Sequence, residues 1–207
     1  TGLSSRFEST APEKTTVARS APPPLFRRSW NFNEDTRLDM FRPHTGNRHR
    51  INTRGINGSG CLQLELKDHS SLFQLDIPNI RKKLPMLIEF SSSIKGKPGT
   101  WALSAVYWSS FDKHAEFQGL QSKSPVRFWN RHQFWISEKM MRIDINGKVS
   151  GLAYYTPSSN AALMFATKSP SDTVLIDNLS IQSIAPSEFP DFTRYEEAIQ
   201  SIPADRW

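Results

Sequence analysis

The chain has 207 residues, of which 37% are hydrophobic, and it carries 26 Lys and Arg against 20 Asp and Glu. This length suits one domain with flanking segments, and no run of about 18 apolar residues predicts membrane insertion. The net charge of +6 is dispersed, without zinc-finger spacing or an RNP-type aromatic motif, so a solvated surface is favoured and nucleic-acid binding is disfavoured.

The two ends of the chain differ from its middle. Residues 1–28 are rich in Ser, Thr, Ala, Pro and charge, so we expect a flexible linker there. We expect a β-sandwich domain over 29–185 and a helix or tail over 186–207. Four apolar residues recur at helical spacing in that tail: Phe192, Tyr195, Ile199 and Ile202. They predict a helix that docks back on the sandwich, and a partner-binding helix is the alternative.

The middle of the chain consists of about ten short segments with strand patterns, separated by turn signals. They are 29–33, 61–67, 72–77, 85–93, 101–109, 128–136, 140–146, 151–155, 161–167 and 174–184. The polar stretch 47–54 reads as a loop, and 56–60 reads as a turn. Such spacing predicts an all-β fold, a two-sheet antiparallel sandwich of the jelly-roll type.

The clearest local signal is a hairpin. Met141, Ile143 and Ile145 alternate with polar residues, which indicates a strand with one buried face. The strand ends at Asn146-Gly147, a dipeptide that tolerates positive φ at both centres of a type I′ turn.

Two motifs resemble a known group of folds. The hairpin within FWNRHQFWISEKMMRIDINGKVSGLAYY resembles the late hairpin of laminin-G-like or concanavalin A-like β-sandwiches. The strand LIDNLSIQS, residues 175–183, resembles the last strand of that group and of galactose-binding-like jelly rolls. The resemblance covers roughly 29–184. It implies a jelly-roll sandwich of the kind found in bacterial extracytoplasmic proteins.

Cys61 is the single cysteine, so the chain cannot form an internal disulfide. It begins an alternating segment in which Leu62 and Leu64 face the core while Gln63 and Glu65 face water. A small buried residue is favoured over a reactive thiol, because no histidine is placed in the sequence to activate it.

Asp177 breaks the pattern of the last strand, because strict alternation with Leu175 and Leu179 points its carboxylate towards the core. A β-bulge at Asp177-Asn178 would change the phase of the strand. Alternatively, backbone amides of a crossing segment donate hydrogen bonds to the carboxylate. A structural calcium ion at Asp177 is what the family resemblance implies, although calcium prefers six to eight oxygen ligands.

Aromatic residues crowd the middle of the chain, and most of them are expected to pack in the core. Exposed rings flanked by amide and charged side chains are also how proteins stack on sugars. Trp108 and Trp129, with Asn130 and Arg131, are the predicted glycan-binding residues. The rings at 129 and 135 share one strand face, opposite to those at 128 and 134.

Catalysis is disfavoured. The five histidines lack metal-site spacing, and nucleophile-elbow and phosphate-loop motifs are missing from the sequence. The favoured function is a non-catalytic carbohydrate-binding module of a secreted or membrane-anchored protein. The alternative is a structural or protein-interaction domain of a larger surface or regulatory protein. A glycoside hydrolase is a third interpretation, for which Glu65, Glu89 and Glu116 are the carboxylates to inspect.

Overall fold

A computed structural model describes residues 26–33, 38, 41–43, 48–65, 73–95, 102–109, 119–124, 129–154, 160–167 and 173–190. These residues contain thirteen strands. In chain order the strands are β1 (Arg27–Trp30), β2 (Phe41–Pro43), β3 (Arg48–Asn52), β4 (Cys61–Glu65), β5 (Phe73–Ile77), β6 (Met86–Lys95), β7 (Ala102–Ser109), β8 (Gly119–Ser124), β9 (Asn130–Ile136), β10 (Met140–Ile145), β11 (Lys148–Tyr154), β12 (Asn160–Thr167) and β13 (Thr173–Ser183). Short 3-10 turns follow at Ile56–Gly58, Ile80–Lys83 and Pro186–Glu188.

The strands form two antiparallel sheets, which confirms the predicted all-β sandwich. The larger sheet has the order β11-β10-β9-β6-β13-β4-β3, and β1 also pairs with β13. The smaller sheet has the order β2-β5-β12-β7-β8. In the part of the chain that the structure describes, no helix is long and apolar enough to span a membrane.

The core lies between the sheets and is built by alternating residues from both. Phe90 of β6 stacks on Phe134 of β9, with ring centroids 6.0 Å apart. It also meets Phe165 of β12, in the other sheet, edge-on at 5.3 Å. Trp30, the last residue of β1, and Phe32, just after it, are also buried in this core. The core aromatics therefore hold the two sheets together across the sandwich.

A β-bulge divides β13. Its register against β6 shifts between Asp177 and Ser180, and Asn178 takes a positive φ of 52°. Val174 and Ile176 face the core before the bulge, and Leu179 and Ile181 face it afterwards. The predicted phase change is therefore confirmed, because the extra residue lets apolar side chains reach the core on both sides of Asp177.

Three strands of the structure are absent from the sequence prediction: β2, β3 and β8. Residues 47–54, expected to form a loop, contain β3, which pairs with β4. That expectation was wrong because the strand, RHRIN, lies at the edge of a sheet and has one large apolar residue, so it lacks an alternating pattern. The hairpin turn is confirmed, since Asn146 and Gly147 have φ angles of 52° and 77°.

The ends of the domain are described in part. Strand β1 begins at Arg27, two positions before the expected domain start at residue 29. The remaining linker residues, 1–25, and the predicted helix with Phe192, Tyr195, Ile199 and Ile202 lie outside the described residues. Pro186–Glu188 forms a single 3-10 turn.

Candidate functional site

Strand β9 presents two different faces. Asn130, His132, Phe134 and Ile136 are buried on the side of the core. The intervening Arg131 is exposed, while Gln133 and Trp135 are half-buried on the opposite side. Alternation places the half-buried Trp129, just before the strand, on the side of Arg131. We call this outer surface the β9 face, formed by Trp129, Arg131, Gln133, Trp135 and, from β6, Glu89.

A polar network crosses the β9 face. Glu89 Oε1 accepts hydrogen bonds from Arg131 Nη2 at 2.5 Å and from Gln133 Nε2 at 2.9 Å. The side chain of Arg131 remains 63% exposed, and that of Glu89 is 22% exposed. The pair therefore fixes the orientation of donors and acceptors while part of each side chain stays accessible to a ligand.

The tryptophan at the far end of the face has specific neighbours. The ring of Trp135 packs edge-on against Phe189 at a centroid distance of 6.5 Å. Its partner in register on β10 is Arg142, whose guanidinium makes a bidentate pair with Asp144 at 2.6 and 2.7 Å. Both charged side chains are less than 8% exposed. This buried pair supports the β9 face from the side of β10.

The four predicted glycan-binding residues do not form one group. Trp129 and Arg131 lie together on the β9 face. Asn130 points the other way, is 2% exposed, and its side-chain Oδ1 accepts a hydrogen bond from Asn146 Nδ2 at 2.9 Å. Trp108 is on β7 in the smaller sheet, opposite Ala161, and its side chain lies outside the described part.

Sequence reasoning did not single out Glu89, Gln133 or Trp135 as ligand-binding residues. The signal for Gln133 and Trp135 was present, because they share the strand parity of Trp129 and Arg131. Glu89 joins them through the pairing of β6 with β9, where Glu89 stands opposite Gln133. That pairing could not be derived from local periodicity.

Asp177 is held by hydrogen bonds. Its Oδ2 accepts from the backbone N–H of Ile56 at 2.8 Å and from the hydroxyl of Ser59 at 2.9 Å, and its Oδ1 accepts from the N–H of Asn178 at 2.7 Å. The side chain is 1% exposed. Both structural explanations from the sequence are therefore correct, because the bulge and the crossing segment occur together.

The residues around Asp177 do not fit the calcium ion that the resemblance implies. Two N–H groups and one O–H group donate hydrogen bonds to the two carboxylate oxygens. A calcium ion would have to bind these oxygens in place of the donors. Within the described ranges, no group of three or more His, Cys, Asp or Glu side chains could hold a metal ion. These hydrogen bonds replace contacts with water that the buried carboxylate loses.

A buried pair of polar residues lies on the inner side of the larger sheet. Ser92 Oγ and His132 Nε2 are 2.8 Å apart, and the imidazole stacks on Phe90 at 4.7 Å. Desolvation lowers the pKa of His132 to about 4. A serine beside a neutral histidine is also a nucleophile and base arrangement. Here the two residues are 3% and 0% exposed, so a substrate cannot reach them, and their contact is part of the packing of the core.

The glutamates suggested for glycoside hydrolysis are far apart. Glu65 stands opposite Thr173 of β13, and Glu89 stands opposite Ser180 on the other side of that strand. Strand geometry separates these positions by about 20 Å, whereas the two carboxylates of a glycosidase lie roughly 5 to 9.5 Å apart. Glu116 is outside the described residues. Glu65 and Glu89 therefore cannot form a catalytic pair.

Comparison with known proteins gives matches in fold. No family model and no curated protein matches the sequence. The C-terminal family 22 carbohydrate-binding module of Clostridium thermocellum Xyn10B is 12% identical, with 81% of this chain and 98% of that chain covered and a TM-score of 0.53. A xylan-binding domain of the same module family is 9% identical, with coverages of 77% and 94% and a TM-score of 0.53.

A third similar structure has a different description. The carbohydrate esterase vb_24B_21 from the Shiga toxin-encoding bacteriophage phi24B is 14% identical, with coverages of 76% and 97% and a TM-score of 0.55. At such low identities these likenesses establish the fold. The chain therefore has a jelly-roll β-sandwich that carbohydrate-binding modules also use.

Proposed function

We propose that this domain is a non-catalytic carbohydrate-binding module and that the β9 face is its ligand surface. One observation supports this most directly: two half-buried tryptophans, Trp129 and Trp135, flank the polar network of Arg131, Gln133 and Glu89 on one side of the sheet. The fold shared with family 22 modules supports the same class of function.

The chemistry of this surface suits a sugar chain. An indole ring offers a flat apolar face to the C–H groups of a pyranose, and oriented amide, carboxylate and guanidinium groups bond to its hydroxyls. Trp129 and Trp135 are six positions apart along the direction of β9, which separates them by about 20 Å. A ligand of several linked sugar units could therefore contact both ends of the face.

The first test is a glycan array probed with the purified chain, in calcium and again in EDTA. Binding to a defined sugar class in both conditions supports the proposal. Loss of binding in EDTA would favour the calcium ion that the resemblance implies. A blank array in both conditions would contradict a glycan-binding function and favour the protein-interaction alternative.

The location of the site is tested with single substitutions. Trp129→Ala and Trp135→Ala should each weaken binding about tenfold, since each removes a stacking surface. Arg131→Ala should weaken it while leaving melting nearly unchanged, because the residue is exposed. Lys148→Ala, an exposed change in the hairpin beside β10, is the matched control. Equal affinity of all four variants would place the site elsewhere, with Trp108 the next residue to substitute.

The proposal includes a cellular location. Because polysaccharides are found mainly outside the cytoplasm, we propose that the domain is extracytoplasmic, and the laminin-G-like and concanavalin A-like resemblance supports the same location. A catalytic role for the domain is disfavoured by the burial of Ser92 and His132 and by the separation of Glu65 from Glu89. Release of sugars or acetate from the bound glycan would contradict this assignment.

A further inference from the structure

The outer side of β10 is more deeply buried than the open surface of a sheet. Met141 and Ile143 of this strand pack in the core, so the alternate residues Arg142 and Asp144 project from the opposite side, which carries the β9 face. Their side chains are 7% and 6% exposed. Charged side chains on an uncovered sheet stay largely in contact with water, so another part of the molecule covers β10 from outside.

A second ion pair shows that this cover is local. Arg131 and Glu89 also lie on the outer side of the larger sheet, and their side chains are 63% and 22% exposed. Leu87, by contrast, is 6% exposed. It stands in register with Trp135, and Trp135 stands in register with Arg142. The covered part is therefore the row that these three residues form across β6, β9 and β10.

The described chain reaches this row after its last strand. A 3-10 turn at Pro186–Glu188 follows β13, and Phe189 then packs edge-on against Trp135 with ring centroids 6.5 Å apart. Because Trp135 projects from the outer side of the sheet, Phe189 lies on that side. Arg142 is one strand further on, at a spacing of about 5 Å. The chain that follows Phe189 therefore starts beside the covered row.

The next residues have the pattern and the length of such a cover. The sequence predicts a helix there, with one apolar face from Phe192 to Ile202. At 1.5 Å per residue this helix would span about 15 Å, whereas β10 and β11 lie about 5 and 10 Å from β9. It is long enough to lie across both strands. The burial of Arg142 and Asp144 is present in a single chain, so a second copy is not needed to explain it.

Trp135 connects the cover to the ligand surface. Its indole Nε1 is buried, with no hydrogen-bond partner within the part of the chain that the structure describes. Burial of an N–H group without an acceptor costs free energy. A sugar hydroxyl could accept this hydrogen bond once the cover has moved away. The covered chain and the glycan-bound chain would therefore use the same ring.

We infer that residues 191–202 form a removable cover over the Trp135 end of the β9 face and over Arg142 and Asp144, and that a glycan displaces this cover when it occupies the whole face. The competition with a glycan rests on the proposed function, whereas the position of the cover does not. The apparent affinity for the glycan is then reduced in proportion to the fraction of chains that are uncovered.

Charges on the apolar face of the predicted helix should release the cover. We expect Tyr195→Asp/Ile199→Asp to bind at least fivefold more tightly than the parent to whichever of soluble xylan, hydroxyethyl cellulose and galactomannan the parent binds best. A fivefold gain corresponds to a parent that is uncovered about one fifth of the time. Thr193→Asp/Gln200→Asp adds the same charges on the opposite side of the helix and is the matched control. Unchanged binding in the first variant, or an equal gain in both, would overturn the inference.

A disulfide tests the position of the cover without any glycan. Leu152 of β11 stands in register with Arg142 and projects from the same side. Ile199 lies seven residues, or about 10 Å of helix, beyond the start of the predicted helix and so reaches β11. We expect Leu152→Cys/Ile199→Cys to form a disulfide within one chain on oxidation, as measured by mass spectrometry. Lys148→Cys/Ile199→Cys, at the exposed hairpin turn, is the control and should not form one.

The oxidised Leu152→Cys/Ile199→Cys variant should bind the polymer at least fivefold more weakly than the parent, and reduction should restore binding, which also shows that the variant is folded. A disulfide that forms equally in the control, or that joins two chains, would overturn the inference. Unchanged polymer binding by the oxidised variant would show that the cover does not compete with the glycan. If no variant binds any polymer while the specific disulfide forms, the proposed function fails and only the position of the cover holds.

Discussion

The hydroxyl of Ser59 donates a hydrogen bond of 2.9 Å to the carboxylate of Asp177, across a separation of 118 positions in the chain. This contact fastens the turn between β3 and β4 onto the bulge of β13. The backbone N–H of Ile56 donates to the same oxygen. The carboxylate therefore organises a junction between two segments that are far apart in the sequence.

We expect Asp177→Ala to lower the free energy of unfolding by about 2 to 4 kcal/mol, because the N–H groups of Ile56 and Asn178 lose their acceptor in part-buried hydrogen bonds. Chemical denaturation of the variant and the parent measures the change. Glu138→Ala, an exposed carboxylate in the turn between β9 and β10, is the control and should have little effect. An unchanged midpoint for Asp177→Ala would mean that the junction contributes nothing to stability.

Gly60 and Gly58 make a matched pair for a second prediction. A Cβ at Gly60 would lie 1.9 Å from the carbonyl oxygen of Phe32, so Gly60→Ala forces the backbones of two segments apart. A Cβ at Gly58 would meet nothing within 4 Å, but its φ of 78° is strained for other residues. We expect Gly60→Ala to cost about 2 to 3 kcal/mol and Gly58→Ala about 1 kcal/mol. Thermal melts of both variants check the order, and the reverse order would contradict the close approach.

His132 makes stability depend on pH. Its pKa is lowered to about 4 by burial, against 6.5 for the exposed group. Between these values the unfolded chain takes up a proton that the folded chain resists, so stability falls as pH falls from 6.5 to about 4 and then levels off for this group. The loss amounts to roughly 3 kcal/mol.

The measurement for His132 is urea unfolding at several pH values. His132→Phe keeps an aromatic ring against Phe90 and removes the titrating group. We expect this variant to be less stable near neutrality, because Ser92 loses its contact with the imidazole, and to lose less stability on acidification. Parallel curves for parent and variant between pH 6.5 and 4 would show that folding does not lower the pKa of His132.

The hydrogen bonds of Asp177 also predict a response to metal removal. Because N–H and O–H donors already occupy its oxygens, EDTA should leave the melting temperature unchanged, and added calcium should not raise it. Differential scanning calorimetry with and without each reagent gives the answer. A rise of several degrees in calcium would show that the family resemblance was the better guide.

The sequence predicted the fold class because strands such as β4 and β10 alternate clearly between apolar and polar residues. It missed β3 because an edge strand has little need of apolar residues. Gln63, expected to face water, is 7% exposed because the unforeseen β3 pairs with β4 beside it. Asn52 of β3 donates a hydrogen bond to Gln63 at 2.6 Å, and Gln63 donates one to Glu65 at 2.7 Å. Cys61 is buried, as expected.

The candidate site was harder to predict than the fold. Parity along β9 placed Trp129 and Arg131 on one face, but proximity in sequence wrongly suggested that Asn130 would join them on an exposed surface. Adjacent residues of a strand point in opposite directions, so a cluster in sequence is divided between core and solvent. The partners that complete the surface, such as Glu89, come from pairing between strands, which the local pattern does not encode.

The position of β13 in the larger sheet has a consequence for synthesis. This strand joins β6 on one side to β4 and β1 on the other, and Arg27 of β1 pairs with Gln182, 155 positions later. At about 5 to 20 residues per second, a ribosome needs roughly 8 to 30 s to cover that distance. During this interval β1, β4 and β6 lack a neighbour, and their apolar faces are open to association with other chains. Nascent chains that stop before Thr173 should therefore bind chaperones, whereas chains that extend well beyond Ser183 should escape them.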